Sequence, residues 1–165
     1  MRYLTTVPYL TVMLMIVSQV SFAAEGTFLK YSVNAHTDKI IHQKGLSLGY
    51  QDALAVFDKK WEIGFWSDSS GRDGAKGSAF ASYSVGVEPT YEALYVNFFQ
   101  GVCLISNPDS VLGGPLEFMM DFGVGLRDTV KGTALGMHYK HISNAGLSMP
   151  NLGRDTFGIQ VMIPW

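Results

Sequence analysis

Alternation of apolar and polar residues recurs along most of this chain, and it constrains the fold more than any other feature. In the clearest run, Leu116–Leu126, every second residue is large and apolar, while the residues between are mostly Glu, Asp and Gly. Residues two apart share one face of a β-strand, so each such run predicts a strand with one apolar and one polar face. Eight segments follow this pattern: Thr27–Val33, Gly45–Phe57, Trp61–Ser67, Ser78–Glu88, Leu94–Ile105, Leu116–Arg127, Leu135–Ser143 and Asp155–Trp165.

The links between these segments alternate between long and short. This is typical of outer-membrane barrels, which have long outer loops and short periplasmic turns. The sequence therefore predicts an all-β, eight-stranded antiparallel outer-membrane β-barrel with both termini in the periplasm. In chain order the predicted links are Asn34–Lys44, Asp58–Lys60, Asp68–Gly77, Pro89–Ala93, Ser106–Pro115, Asp128–Gly132 and Asn144–Arg154.

A soluble β-sandwich would also alternate, but its polar face is solvated and usually rich in Lys, Glu and Thr. Here the polar face is rich in Gly, Ser and Ala, which suits the cramped interior of a small barrel. The chain also ends on Trp165 in register with alternating apolar residues, a pattern that the barrel-assembly machinery recognises. One residue does not fit the predicted membrane barrel. Asp52 falls on the lipid-facing side, which requires a bulge or a position near the membrane interface.

The first 23 residues resemble a secretory signal peptide. Arg2 precedes an apolar region from Val7 to Val20, and Ser21-Phe22-Ala23 supplies small residues for cleavage before Ala24. An uncleaved anchor helix is the alternative, but the apolar run is too short and is interrupted by polar residues. We therefore expect residues 1–23 to be a signal peptide and residues 24–165 to be the barrel domain.

Composition narrows the functional classes. Twelve basic against 14 acidic side chains give a net charge of −2, which offers no basic patch for nucleic acid. The single cysteine, Cys103, allows no intrachain disulfide. His36 and His42 are too isolated to suggest a metal site, and no glycine-rich phosphate loop is present. We expect no metal and no cofactor.

The candidate chemistry lies at the end of the Leu135–Ser143 run. His141 and Ser143 stand side by side on its apolar face, which places a base and a hydroxyl where lipid is expected. An activated serine needs a base, and the base needs an acceptor for its other nitrogen. Alternation along the last predicted strand places Asp155 on its apolar face as well. The 144–154 loop connects this strand to the one that carries Ser143. The pattern predicts acyl-transfer chemistry on a lipid by Ser143, His141 and Asp155.

The nucleophile is followed directly by Asn144-Ala145-Gly146. A side-chain amide and backbone N–H groups at this position could form an oxyanion hole. The alternative is structural, because Asn and Gly are also the residues that turns require.

The segment Tyr139–Gly146, followed by Pro150-Asn151-Leu152-Gly153 and then an acid, resembles the signature of PagL-type lipid A 3-O-deacylases. The resemblance is specific over residues 135–165, softer over 118–126 and only topological before that. It implies hydrolysis of the acyl chain at position 3 of lipid A on the lipid-facing surface of the barrel. Ser143 would then be the nucleophile, His141 the base and then acid, and Asn144 an oxyanion contributor. Asp155 stands where the family pattern has Glu.

Two other functions stay open. A barrel acyltransferase would share the acyl-enzyme intermediate, and a non-catalytic adhesion or structural barrel would act through its loops. The expected partners are lipid A in lipopolysaccharide, the outer membrane and the assembly machinery, and the pattern leaves open whether the barrel forms a homodimer. We interpret Trp61, Tyr83 and Tyr139 as anchors at the membrane interface.

Overall fold

The computed structural model describes residues 25–34, 44–54, 56–67, 77–108, 112–149 and 151–165. The predicted signal peptide, residues 1–23, lies outside them. In the described residues the regular structure consists of nine β-strands, and no helix there is long and apolar enough to cross a membrane. The strands are β1 (Gly26–Asn34), β2 (Lys44–Leu54), β3 (Phe57–Ser67), β4 (Ser78–Val87), β5 (Thr90–Tyr91), β6 (Leu94–Ile105), β7 (Leu116–Arg127), β8 (Ala134–Ser143) and β9 (Arg154–Pro164).

The strands form one closed antiparallel barrel. Neighbours follow the order β4-β3-β2-β1-β9-β8-β7-β6, and pairing of β4 with β6 closes the ring. The two-residue strand β5 pairs only with the first residues of β6, so the barrel wall consists of the other eight strands. The predicted eight-stranded antiparallel barrel is therefore confirmed. Strands β3 and β8 both end at one rim of the barrel, and we call this rim the loop end. The opposite rim is the turn end.

One predicted link is wrong. The sequence suggested a turn at Asp58–Lys60, but β2 ends at Leu54 and β3 begins at Phe57, so these three residues belong to β3. Asp58 and Lys60 are both buried, because they alternate with outward-facing neighbours and point into the barrel. Charged residues next to each other look like a turn in sequence, whereas the closed barrel gives them a polar interior.

The two faces of each strand have opposite chemistry. Outward residues are large, apolar and exposed, for example Leu46, Ile63 and Phe122 at 56%, 63% and 47%. Inward residues are buried and polar or small, and the glycines among them make room for large neighbours. A Cβ on Gly136 would lie 2.0 Å from the Tyr95 hydroxyl oxygen. The apolar surface is thus on the outside of the barrel, as a membrane requires.

Charged side chains fill the lumen. The carboxylate of Asp121 accepts hydrogen bonds from Lys30 and, at 3.0 Å, from Lys60. The Lys140 ammonium donates to Glu62 at 2.6 Å, and all five side chains are almost completely buried. We call these five residues the lumen cluster. Because each ion has an opposite charge within reach, the cluster bridges strands across the barrel interior.

The position of Asp52 is explained by its partner. Asp52 is opposite Lys59 in the β2–β3 ladder, and their charged atoms are 2.8 Å apart. Both residues lie beside the turn at the turn end, so the carboxylate is paired and close to the barrel rim.

Outward aromatic residues lie near the same end, where the Trp61 and Tyr83 rings are 4.4 Å apart. Such rings are typical of a membrane interface.

Candidate active site

Strands β8 and β9 place Ser143, His141 and Asp155 on one face at the loop end, where His141 contacts Asp155 but no hydrogen bond joins it to Ser143 among the described residues. His141 and Ser143 are half-buried on the outward face, whereas the alternating residues Lys140 and Ile142 are buried inside the barrel. In the β7–β8 ladder, Ser143 is opposite Phe118. The base and the hydroxyl therefore lie on the apolar outer surface, next to an aromatic side chain.

His141 and Asp155 are in direct contact. They are opposite each other in the β8–β9 ladder, and His141 Nδ1 lies 2.7 Å from Asp155 Oδ1. A carboxylate can only accept, so this contact assigns the proton to Nδ1 and leaves Nε2 as the basic nitrogen. Asp155 reaches the imidazole although its side chain is short, because antiparallel pairing brings the two backbones close.

A third side chain contacts the same carboxylate. The hydroxyl of Tyr139 donates to Asp155 Oδ1 at 2.6 Å. Tyr139 precedes His141 by two residues and lies on the same face of β8. The alternating pattern alone could therefore have identified it as a candidate site residue. Its place on a lipid-facing strand predicted a membrane-interface anchor instead, which is the usual role of a phenol there.

The Asn144 side chain does not face the outer surface. It is fully buried, and its Nδ2 donates to the Leu112 carbonyl at 2.6 Å and to Ser148 Oγ at 2.8 Å. Its backbone N–H donates to Asn151 Oδ1 at 3.0 Å. In this conformation the Asn144 side chain ties the 144–153 loop to the chain before β7.

The two residues after Asn144 form a tight turn. Gly146 N–H donates to Asn144 Oδ1 at 2.9 Å, and both Ala145 and Gly146 have positive φ, 52° and 84°. A left-handed conformation is uncommon for alanine and often occurs at functional sites. The Ala145 N–H has no acceptor among the described residues. It is thus the backbone donor of this turn that a ligand could use without rearrangement.

Gly153 lies against the free edge of the His141 imidazole. A Cβ there would be 2.9 Å from His141 Cε1 and 3.5 Å from Nε2, and the residue has a φ of 71°. Glycine is the residue that adopts this conformation readily and also leaves that space empty. A side chain at position 153 would therefore press on the Cε1–Nε2 edge of the imidazole.

Comparisons with known proteins agree with this arrangement. A family model described as "Lipid A 3-O-deacylase (PagL)" matches residues 29–164. Among solved structures, the crystal structure of the outer membrane enzyme PagL superposes with a TM-score of 0.59. It shares 21% sequence identity and covers 84% of this chain and 99% of its own. A search of curated proteins found no match.

Proposed function

This chain belongs to the lipid A 3-O-deacylase (PagL) family, and on that premise we propose that it hydrolyses the ester-linked acyl chain at position 3 of lipid A. The observation that carries the proposal is the His141–Asp155 pair, 2.7 Å apart, on the outward face beside Ser143. A serine, a base and an acid on one face are the three groups that nucleophilic acyl transfer requires. The apolar outward face supports an outer-membrane location.

In the proposed reaction, Ser143 Oγ attacks the ester carbonyl and His141 Nε2 takes its proton. Asp155 stabilises the imidazolium that forms, because it accepts the hydrogen bond from Nδ1. When the intermediate collapses, His141 returns the proton to the departing sugar oxygen and an acyl-serine remains. Water, activated by His141, then hydrolyses the acyl-serine and releases a 3-hydroxy fatty acid.

The oxyanion of the intermediate needs donors close to Ser143. The Asn144–Gly146 turn follows the nucleophile directly and is our proposed source. The Ala145 N–H is available in this conformation. The Asn144 amide and the Gly146 N–H are engaged within the loop, so they would contribute only if the loop rearranges when substrate binds.

Expression in a Gram-negative host without such an activity tests the function. We expect mass spectrometry of the host's lipid A to show the loss of one 3-hydroxyacyl group, with the free 3-hydroxy fatty acid in the lipid extract. Cells that carry the empty vector are the control. The heat-dependent gel mobility typical of folded barrels verifies that the protein has folded in the membrane.

Two results would contradict the proposal. Transfer of the acyl chain to another lipid, without free fatty acid, would identify an acyltransferase. Unchanged lipid A, with the barrel folded, would favour a non-catalytic role.

The substitution Gly153→Ala tests the access to His141. The new methyl group would press on the imidazole, and displacement of a catalytic group by about 1 Å can lower the rate about 100-fold. We expect kcat for lipid A in detergent micelles to fall about 10- to 100-fold. The matched control is Gly132→Ala, in the turn before β8, where φ is 73° and the nearest atom to a Cβ is Pro164 Cγ.

Both substitutions force alanine into a left-handed conformation, so both should destabilise the barrel by a similar amount, roughly 1 kcal/mol. Only Gly153→Ala should impair catalysis. Equal kcat values for the two variants would show that the close approach to His141 has no catalytic importance.

A further inference from the structure

Tyr139 shares an acceptor with the proposed catalytic base. Its hydroxyl and His141 Nδ1 both lie within hydrogen-bond distance of Asp155 Oδ1, at 2.6 Å and 2.7 Å. We infer that Tyr139 is a positioning residue for deacylation, whose hydroxyl holds the Asp155 carboxylate against His141. This inference rests on the proposed function.

The register of β8 and β9 explains how a tyrosine two residues away reaches this carboxylate. His141 is directly opposite Asp155, and Tyr139 is directly opposite Phe157. Tyr139 and Asp155 are therefore diagonal neighbours on one face, a separation that a long aromatic side chain can span. A shorter residue at position 139 would not reach.

The ring of Tyr139 is itself held in place. It packs against Phe157 with a centroid distance of 4.9 Å and an angle of 47° between the planes. Contact with the opposite ring fixes the direction of the phenol, and the hydrogen bond fixes its oxygen. The hydroxyl is thus a preorganised donor for Asp155.

Asp155 needs such a donor because of where it lies. Its side chain is 37% exposed, and that of His141 is 28% exposed, on a face otherwise covered with apolar residues. A carboxylate in apolar surroundings loses its hydration, and hydrogen bonds must replace it. With His141 as its only neighbour, the carboxylate could rotate away or take up a proton. The second donor on the same oxygen stabilises the charged form of the carboxylate in the orientation that faces His141.

The variant Tyr139→Phe removes the hydroxyl and keeps the ring. We expect kcat for lipid A to fall about tenfold, roughly what one hydrogen bond to a charged group contributes, with KM within about twofold of wild type. Labelling of Ser143 by a small fluorophosphonate should slow by the same factor, because that reaction needs the activated serine but not lipid A. The matched control is Tyr31→Phe, a phenol on the same outward surface of β1, for which we expect wild-type rates.

A double-mutant cycle separates positioning from general packing. If Tyr139 acts through the carboxylate, the fluorophosphonate rate of Asp155→Asn should not change further when Tyr139→Phe is added. A tenfold loss that persists in the Asp155→Asn background would overturn the inference, as would a wild-type rate for Tyr139→Phe alone.

Failure of the inference and failure of the proposed function are distinguishable with one more variant. If Ser143→Ala is inactive and Tyr139→Phe is unaffected, only the positioning role is wrong. If Ser143→Ala still deacylates lipid A, the proposed catalytic group is wrong and the role of Tyr139 fails with it.

Discussion

Ser143→Ala is expected to lower kcat for lipid A deacylation by about 10⁴-fold or more. In the proposed mechanism the hydroxyl oxygen of Ser143 forms the acyl-enzyme, and neither His141 nor Asp155 can replace it. The lipid A binding surface is left intact by the loss of one oxygen atom. KM should therefore stay close to the wild-type value, and the purified variant assayed in lipid A micelles would separate the two constants.

Ser67→Ala is a closely matched control. Ser67 ends β3 at the loop end as Ser143 ends β8, and it is also half-buried. Its hydroxyl donates to the Lys44 carbonyl at 3.2 Å and has no proposed chemical role. We expect this variant to retain wild-type activity. More than a few per cent of activity in folded Ser143→Ala would mean that the nucleophile lies elsewhere.

Asp121→Asn is expected to be the most destabilising substitution among those considered. Asp121 is completely buried and accepts hydrogen bonds from Lys30 and Lys60 within the lumen cluster. Removing its charge leaves two buried ammonium groups with too little compensation, which typically costs about 3–5 kcal/mol. Urea unfolding of the barrel in detergent, followed by tryptophan fluorescence, would show the midpoint moving to a lower urea concentration.

The corresponding control is Asp52→Asn. This carboxylate also pairs with a lysine, but on the outer surface beside a turn, where water screens the charges. We expect little change in its unfolding midpoint. If both variants unfold like wild type, the lumen cluster contributes nothing measurable to stability, and the barrel depends on its strand pairing alone.

The alternating pattern was sufficient to predict the strands, because each barrel strand separates an apolar exterior from a polar interior along its whole length. Seven of the predicted segments match observed strands to within a few residues. The exception is the β2–β3 turn, where Asp58 and Lys60 were assigned to a link. Their burial depends on strands β4 and β1 on either side of the hairpin, which local sequence cannot reveal.

The strand positions of the candidate site residues could also be predicted from the alternating pattern, but their side-chain contacts could not. Alternation along the strands placed Ser143, His141 and Asp155 on one face, and the 144–154 loop was expected to bring Asp155 close to Ser143; the direct pairing of Asp155 with His141 is a finding of the structure. The direction of the Asn144 side chain was beyond such reasoning, because it depends on acceptors at Leu112 and Ser148 in the folded loop. The contact of Tyr139 with Asp155 also depends on a side-chain orientation that spacing does not specify.

The filled lumen has a consequence for how such a protein meets its substrate. Lys30, Lys60 and Phe28 occupy the interior, where Lys60 Nζ lies 5.1 Å from the centre of the Phe28 ring. With these side chains inside the barrel and Ser143, the proposed nucleophile, on its outer surface, a lipid would arrive by lateral diffusion within its leaflet. The relevant concentration is then the mole fraction of lipid A in that layer rather than its amount per volume of water. Turnover would follow surface-dilution kinetics, and the released fatty acid would remain among the neighbouring lipids.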